Sequence, residues 1–303
     1  MKILSVAWKS VTIKLIITLI LFFFIFYKLK LENIYTILVK ANLLLLLLAA
    51  VLSIFFSSLM RSYKWQKLLG IMDVKISIWR SFRLMLIGIY YGMITPGKFG
   101  EIMKIFYLKE RKSVTLPSVL WDRIIDLGIL IVLTDITIFI LFKNNYFMLV
   151  SIALTILFFL LIYILFNSSI MYYLFKPFGI MRDSVEDYRR NMLAILKSRK
   201  VILPVFISAG YYMLTFLIAA LILKALDQNS SFLLVLILPA TMLLGNIPVT
   251  ISGLGLRELV SVMFFTALNQ NPSIGFSFSI VLFFVMTFIP GLIGYVLLMK
   301  NQS

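Results

Sequence analysis

Six stretches of this chain are long and apolar enough to cross a lipid bilayer. They run over about 11–28, 41–60, 116–142, 146–166, 201–223 and 274–299. A helix needs about 20 apolar residues to span the roughly 30 Å hydrocarbon core of a membrane. Since 62% of the 303 residues are hydrophobic, a soluble domain could not bury them all. The sequence therefore predicts an all-α polytopic membrane protein with about six full spans.

Two further apolar regions are interrupted, and they predict broken, re-entrant helical hairpins. The first covers residues 81–112 and the second covers residues 232–268. Proline and glycine end helices, and irregular backbone at membrane depth persists only inside protein or beside a watery cavity. The residues that mark the two breaks are Pro96, Gly97 and Gly100 in the first hairpin, and Pro248, Gly253 and Gly255 in the second.

The distribution of positive charge predicts the orientation. If the N-terminus is cytoplasmic and each hairpin returns to the side it enters from, the inner segments hold 21 Lys and Arg and the outer segments hold 5. This is the positive-inside pattern. We expect a multi-pass protein of the cell (inner) membrane with both termini cytoplasmic. We attribute the net charge of +17 to this topology and to contact with anionic headgroups, not to nucleic acid.

The predicted segments divide into two halves of opposite orientation, approximately 1–142 and 146–303. Each half contains two spans, a hairpin and a further span, and each Gly-rich break runs into a glutamate, Glu101 or Glu258. Inverted repeats with broken helices are typical of transporters. A chance likeness between two short loops is the alternative. We predict a single transmembrane domain built as an inverted repeat.

Charged residues inside apolar segments are costly and are therefore functional candidates. Asp122 and Asp126 are four residues apart and share a helix face, and Arg123 is close enough to Asp126 to pair with it. These residues predict either a polar pathway or an interfacial ion pair, since Pro117 marks the expected start of the helix. Asp135 points to the opposite side, and we expect a structural or lumen-facing role for it.

Each break also carries charges. A helix that starts after a break presents free N–H groups, which suit an anion such as a lipid phosphate, and Lys98 would add positive charge there. Glu101 at membrane depth predicts a function or a specific arginine partner. Arg257 has three open interpretations: it grips a phosphate, neutralises Glu101 or Asp126, or pairs with Glu258.

Two basic stretches, 61–83 and 181–200, mix Lys and Arg with apolar and aromatic residues. They predict helices that lie on an anionic membrane face, or simply retention of positive charge on the inside. The chain has no Cys and no His, which excludes disulfides, thiol nucleophiles, Cys/His zinc sites and histidine catalysis. It also has no recognisable phosphate-binding loop, nucleophile elbow or metal-ligand cluster. We therefore expect a non-enzyme without catalytic residues, metal or cofactor.

Three segments, 95–104, 122–126 and 247–258, resemble the transmembrane, flippase-like region of lysylphosphatidylglycerol synthases in order and spacing. The resemblance covers nearly the whole chain and implies that a lipid, or a lipid-linked sugar, is moved between leaflets. The resemblance does not include the soluble aminoacyl-transferase domain of full-length synthases, so we do not expect this chain to make lysyl-lipid. The second motif reads Thr-Ile-Ser-Gly where many relatives have a Pro-Gly-Gly-type turn. The motif positions that the resemblance supplies are Gly97, Gly100, Glu101, Arg123, Asp126, Gly253, Gly255 and Glu258.

We therefore expect a flippase for an anionic phospholipid, an aminoacyl-phospholipid or a polyprenyl-phosphate-linked glycan. Its headgroup would lie near Lys98, Arg123 and Arg257. The alternatives are a small-solute or ion secondary transporter, a membrane enzyme that uses Asp122 and Asp126, and a scaffold for lipid-linked glycan synthesis. The expected partners are membrane lipids and, in addition, glycosyltransferases or lipid-modifying enzymes. The sequence leaves open whether the chain forms a homo-oligomer.

Overall fold

The computed structural model describes residues 2–29, 31–95, 99–141, 145–175 and 182–300, which form helices without a β-strand. The all-α prediction is confirmed. The α-helices are α1 Lys2–Lys28, α2 Leu31–Val39, α3 Leu43–Val51, α4 Ser58–Ile71, α5 Ile78–Ile94, α6 Lys112–Leu141, α7 Asn145–Phe166, α8 Ser168–Phe175, α9 Arg182–Lys197, α10 Ile202–Leu226, α11 Leu238–Gly245, α12 Leu256–Ala267, α13 Pro272–Phe283 and α14 Ile289–Met299. Within these same residues, three 3-10 helices cover Phe99–Tyr107, Arg199–Val201 and Phe232–Ile237, and two π-helical turns cover Leu52–Ser57 and Phe284–Phe288.

Within the described residues, five helical stretches are long and apolar enough to cross a membrane. They are Leu43–Ile71, Lys112–Leu141, Met148–Phe166, Arg199–Leu226 and Pro272–Met299. They coincide with five of the six predicted spans, and the remaining one, 11–28, lies within α1. The chain is therefore an integral, multi-pass membrane protein.

Helix α6 begins earlier than the sequence predicts. It starts at Lys112, so Pro117 lies inside it instead of at its start. A proline in a helix cannot donate to the carbonyl four residues before it. That carbonyl, Ser113 O, instead accepts a hydrogen bond of 3.1 Å from Asn191 Nδ2 of α9. Asp122 is consequently ten residues, or about 15 Å, along the helix.

Both predicted breaks are present. The first separates α5, which ends at Ile94, from the 3-10 helix Phe99–Tyr107, with Pro96, Gly97 and Lys98 outside the described residues. The second break covers residues 246–255, because α11 ends at Gly245 and α12 begins at Leu256. It contains Pro248, Gly253 and Gly255, the three residues that mark it in the sequence, and Pro248 disfavours a helical continuation of α11.

The chain forms two compact units. The first unit consists of Met1–Ser58, Leu86–Glu101 and Met213–Ser303. In it, α12 packs against α13, α11 and α1, and α2 packs against α13. Ile25, Leu29, Ile34 and Phe276 form a buried apolar cluster there. This unit contains the second break in full.

The second unit consists of Leu59–Met85 and Ile102–Tyr212. In it, α6 packs against both α7 and α9. Val185 and Met192 of α9 are buried beside Trp121, whose Nε1 donates to Met192 O at 3.1 Å. The apolar face of α9 therefore lies on protein, and the prediction that this stretch rests on the membrane face is wrong for these residues. Leu196 is 53% exposed.

Candidate functional site

Four charged side chains meet inside the second unit and form what we call the buried ion cluster. Lys64 comes from α4, Lys104 from the 3-10 helix, and Asp122 and Asp126 from α6. Lys64 Nζ lies 2.8 Å from Asp122 Oδ1 and 2.6 Å from Asp126 Oδ1. Lys104 Nζ lies 3.2 Å from Asp122 Oδ2. Two cations and two anions thus give a net charge of zero.

Neighbouring side chains hold the cluster in place. Ser208 Oγ of α10 donates to Asp126 Oδ1, and Tyr212 OH donates to the backbone oxygen of Asp126 at 3.4 Å. Lys104 Nζ lies 4.4 Å from the centre of the Trp65 ring. Trp65 Nε1 in turn donates to Ser118 Oγ of α6 at 3.1 Å. Polar and aromatic groups on three helices therefore fix the positions of the four charges.

Burial makes the pairing of these charges necessary. The side chains of Lys64, Lys104 and Asp122 are at most 2% exposed, and that of Asp126 is 11% exposed. An ionised group without a partner in such surroundings would lose its hydration without compensation. The geometry of the cluster is thus that of a structural ion-pair network.

The cluster both confirms and corrects the sequence analysis. The prediction that Asp122 and Asp126 share a helix face is confirmed, since both contact Lys64. The structure pairs Asp126 with Lys64, a partner that the sequence spacing does not indicate. Lys64 was assigned to a basic stretch on the membrane face, and its burial overturns that prediction. Lys104 was missed, although a lysine inside the apolar run 102–108 is a usable signal.

The side chain of Asp135 contacts α7 and is not part of the buried ion cluster. Its carboxylate accepts hydrogen bonds from Ser151 Oγ and, at 3.5 Å, from Thr155 Oγ1, both on α7. The interaction joins α6 to α7, which agrees with the structural role expected for Asp135. Among the described residues no group of three acidic side chains is arranged to hold a metal ion.

The first break is closed by local hydrogen bonds. Thr95 Oγ1 donates to Tyr91 O at 2.7 Å and accepts from Gly100 N at 2.7 Å. A Cβ at Gly100 would lie 2.2 Å from Tyr91 O, so only glycine fits there. Glu101 is 3% exposed and packs over Gly92, where a Cβ would lie 2.8 Å from Glu101 Cγ. A carboxylate therefore sits buried directly after the break.

The second break is a tight, buried turn. Ser252, Gly253 and Gly255 have positive φ angles of 53°, 76° and 83°. A Cβ at Gly253 would lie 2.2 Å from Gly245 O, because the connection folds back onto the end of α11. Both the backbone angle and the close approach therefore require glycine at position 253.

Glu258 anchors this turn to the neighbouring helix. Its Oε2 accepts from Gly255 N at 2.6 Å, and its Oε1 accepts from Ser279 Oγ of α13 at 3.0 Å. The side chain is fully buried. Because Glu258 accepts a hydrogen bond from the backbone N–H of Gly255, the residue just before α12, its side chain caps the N-terminus of this helix.

Arg257 lies beside Glu258. Its Nη2 is 3.5 Å from Glu258 Oε1, and its guanidinium lies 4.7 Å from the centre of the Phe283 ring. A Cβ at Gly245 would lie 2.3 Å from Arg257 Cγ, so the side chain packs directly on that glycine. Arg257 Nε and Nη2 are buried, and neither has a hydrogen bond among the described residues.

Comparison with known proteins identifies relatives along almost the whole chain. A family model described as the lysylphosphatidylglycerol synthase TM region matches residues 11–294. The chain is 25% identical to the UPF0104 membrane protein MJ1595 of Methanocaldococcus jannaschii, over 96% of this chain and 95% of that protein. No solved structure matches the chain.

Proposed function

Because the chain belongs to the lysylphosphatidylglycerol synthase transmembrane-region family, we propose that it moves a lipid with an anionic headgroup between the leaflets of a membrane. The candidate cargoes are an anionic phospholipid, an aminoacyl-phospholipid and a polyprenyl-phosphate-linked glycan. The proposal includes the location and orientation expected from the charge distribution, namely a cell membrane with both termini cytoplasmic.

The observation that carries this proposal is the second break. Ten residues, 246–255, form irregular backbone between α11 and α12, and α11 contains no charged residue. Exposed irregular backbone is not tolerated by hydrocarbon, whereas transporters use it to line a site for polar cargo. Buried irregular backbone of this kind supports a site for a polar headgroup within an apolar domain.

The outer surface of the helices supports a lipid as cargo. Leu149, Ile156 and Phe159 of α7 are each 63% exposed. Exposed apolar side chains of this kind suit contact with the acyl chains of a bilayer. The tails of a lipid cargo can therefore stay in the bilayer while the protein binds its headgroup.

The buried ion cluster favours a transporter over the enzyme alternative. An enzyme that used Asp122 and Asp126 would need carboxylates that contact substrate or water. Asp122 instead pairs with two lysines, and Asp126 pairs with Lys64 and accepts from Ser208. We propose that the chain itself carries no catalytic group, and that downhill flow or an ion gradient drives transport.

Leaflet exchange in proteoliposomes tests the proposal. Vesicles contain fluorescent phosphatidylglycerol, and a membrane-impermeant reductant quenches the outer leaflet. Only half of the fluorescence is lost without exchange, whereas nearly all of it is lost with exchange. We expect wild-type protein to give the second result and Glu101→Gln, which removes the buried charge after the first break, to give the first.

Glu32→Gln is the matched control, because Glu32 of α2 is exposed. It should exchange lipid at the rate of the wild type. Equal rates in empty vesicles and in vesicles with wild-type protein, for phosphatidylglycerol, its lysylated form and a polyprenyl phosphate, would contradict the proposed function.

A further inference from the structure

We propose that the second break is a binding site for a phosphate group, with the guanidinium of Arg257 as its principal ligand. The inference rests on the proposed function in one respect, namely that the phosphate then belongs to the headgroup of the lipid that is moved. It adds the chemical group that is recognised and the residues that recognise it.

The first argument is the unused edge of the Arg257 guanidinium. Nε and Nη2 lie side by side and can donate two parallel hydrogen bonds to two oxygens of one phosphate. Both atoms are buried, and neither donates a hydrogen bond to any described residue. The side chain as a whole is 10% exposed. A buried donor without an acceptor is unfavourable. An oxyanion at this edge would supply the acceptors that Nε and Nη2 lack in the protein without ligand.

The second argument is that Glu258 leaves this edge available. The two side chains are 3.5 Å apart, which is an ion-pair contact but too long for a good hydrogen bond. Both oxygens of Glu258 already accept shorter hydrogen bonds from Gly255 N and Ser279 Oγ. The carboxylate thus compensates part of the charge of Arg257 without using its donors.

The third argument is that the guanidinium is held in a fixed position. The aliphatic part of Arg257 packs on Gly245, and its planar head lies over the ring of Phe283. Arg257 is also in the first turn of α12, where the helix dipole favours an anion. A donor pair that is already oriented loses little conformational entropy when it binds a phosphate.

The fourth argument is a set of hydroxyls in the same connection. Thr250 Oγ1 and Ser252 Oγ are buried and have no partner among the described residues. Both precede Gly253 in the chain, and Gly253 approaches Gly245, the residue on which Arg257 packs. Hydroxyls donate to phosphate oxygens. Asn246 Oδ1 is likewise buried without a partner, and it would accept from a hydroxyl of the headgroup.

Calorimetric binding to the full chain in detergent tests the inference. The probes are dihexanoyl phosphatidylglycerol, dihexanoylglycerol, which has the same tails without phosphate, and inorganic phosphate. We expect the phosphatidylglycerol to bind and the dihexanoylglycerol to bind far more weakly. Tighter binding of the phosphatidylglycerol than of inorganic phosphate identifies a lipid as the source, and the reverse order would contradict a lipid source.

Two variants tie the binding to these residues. Arg257→Lys keeps the charge but loses the paired donors, and Thr250→Val keeps the shape but loses the hydroxyl. Each should weaken binding by about 10- to 100-fold, the range for one lost hydrogen bond to a charged group. Arg190→Lys, at an exposed arginine of α9, is the matched control and should bind as the wild type does. Thermal melting checks that each variant is folded.

Equal affinity for the two dihexanoyl probes, or wild-type affinity in both folded variants, would overturn the inference. The outcome is separable from that of the leaflet-exchange assay. Phosphate binding that depends on Arg257, without lipid exchange, would keep the site and contradict the proposed function. Exchange without such binding would keep the function and contradict the site.

Discussion

At the scale of single residues, Lys64 is the centre of the buried ion cluster, since it contacts both Asp122 and Asp126. We predict that Lys64→Met strongly destabilises the protein. The variant leaves a buried carboxylate without its partner, which costs about 3–5 kcal/mol. The measurement is the free energy of unfolding in detergent micelles.

Lys75→Met is the control for this prediction, because Lys75 is exposed. It should change stability by less than about 0.5 kcal/mol. The double variant Lys64→Met/Asp126→Leu restores charge balance, so its loss should be smaller than the sum of the two single losses. Additive losses, or a Lys64→Met variant as stable as the control, would show that the cluster does not act as a unit.

Gly253 is a second residue whose substitution has a definite expected result. Gly253→Ala should destabilise the fold by at least about 1–3 kcal/mol, because the residue has a positive φ and a Cβ would meet Gly245 O. Gly70→Ala in α4 is the matched substitution, since nothing lies within 4 Å of a Cβ there. Thermal melting should show a loss for the first variant and no loss for the second.

The sequence alone could identify part of the candidate site. The spacing of Asp122 and Asp126 was enough to place both on one helix face, because helix geometry is local. Lys64 could not be recognised as their partner, since its neighbours Arg61 and Lys67 make the segment resemble a basic membrane surface. That Arg257 keeps two donors unused depends in part on the hydrogen bond that Glu258 accepts from Ser279 of another helix, and no spacing rule reports this contact.

At the scale of elements, α9 has one face buried against α6 and another face exposed. Met192→Ala should cost about 2–5 kcal/mol, because Met192 is fully buried against α6. Leu196→Ala, on the same helix, removes a similar volume from an exposed side chain and should cost little. Denaturation in detergent measures both. Equal losses, or a larger loss for Leu196→Ala, would mean that α9 does not use the buried face described here.

The limits of helices were less predictable than their existence. Five apolar spans can be predicted from the length and composition of the segments, because these two properties decide whether a helix can cross a bilayer. The start of α6 cannot, because Pro117 is tolerated inside the helix only where Asn191 Nδ2 satisfies the freed carbonyl of Ser113. The second break starts at residue 246, before both Pro248 and the two glycines, because Pro248 disfavours helical geometry in the residue that precedes it.

At the scale of the whole molecule, the orientation in the membrane can be measured directly, because the chain has no cysteine. Ser184 lies in an expected inner segment and Asn229 in an expected outer one, and both are exposed. In intact cells, a membrane-impermeant maleimide should label Asn229→Cys but not Ser184→Cys. Labelling of both after the cells are opened is the control, and the reverse pattern in intact cells would contradict the proposed orientation.

The buried ion cluster also bears on how the chain is made. Lys64 and Lys104 leave the ribosome before Asp122 and Asp126, and Ser208 follows later still. A lysine without a counter-charge is expensive at membrane depth. The ion pairs of α4 can therefore form only after α6 has been made. We expect this part of the protein to reach its final packing through several helices together and not one helix at a time.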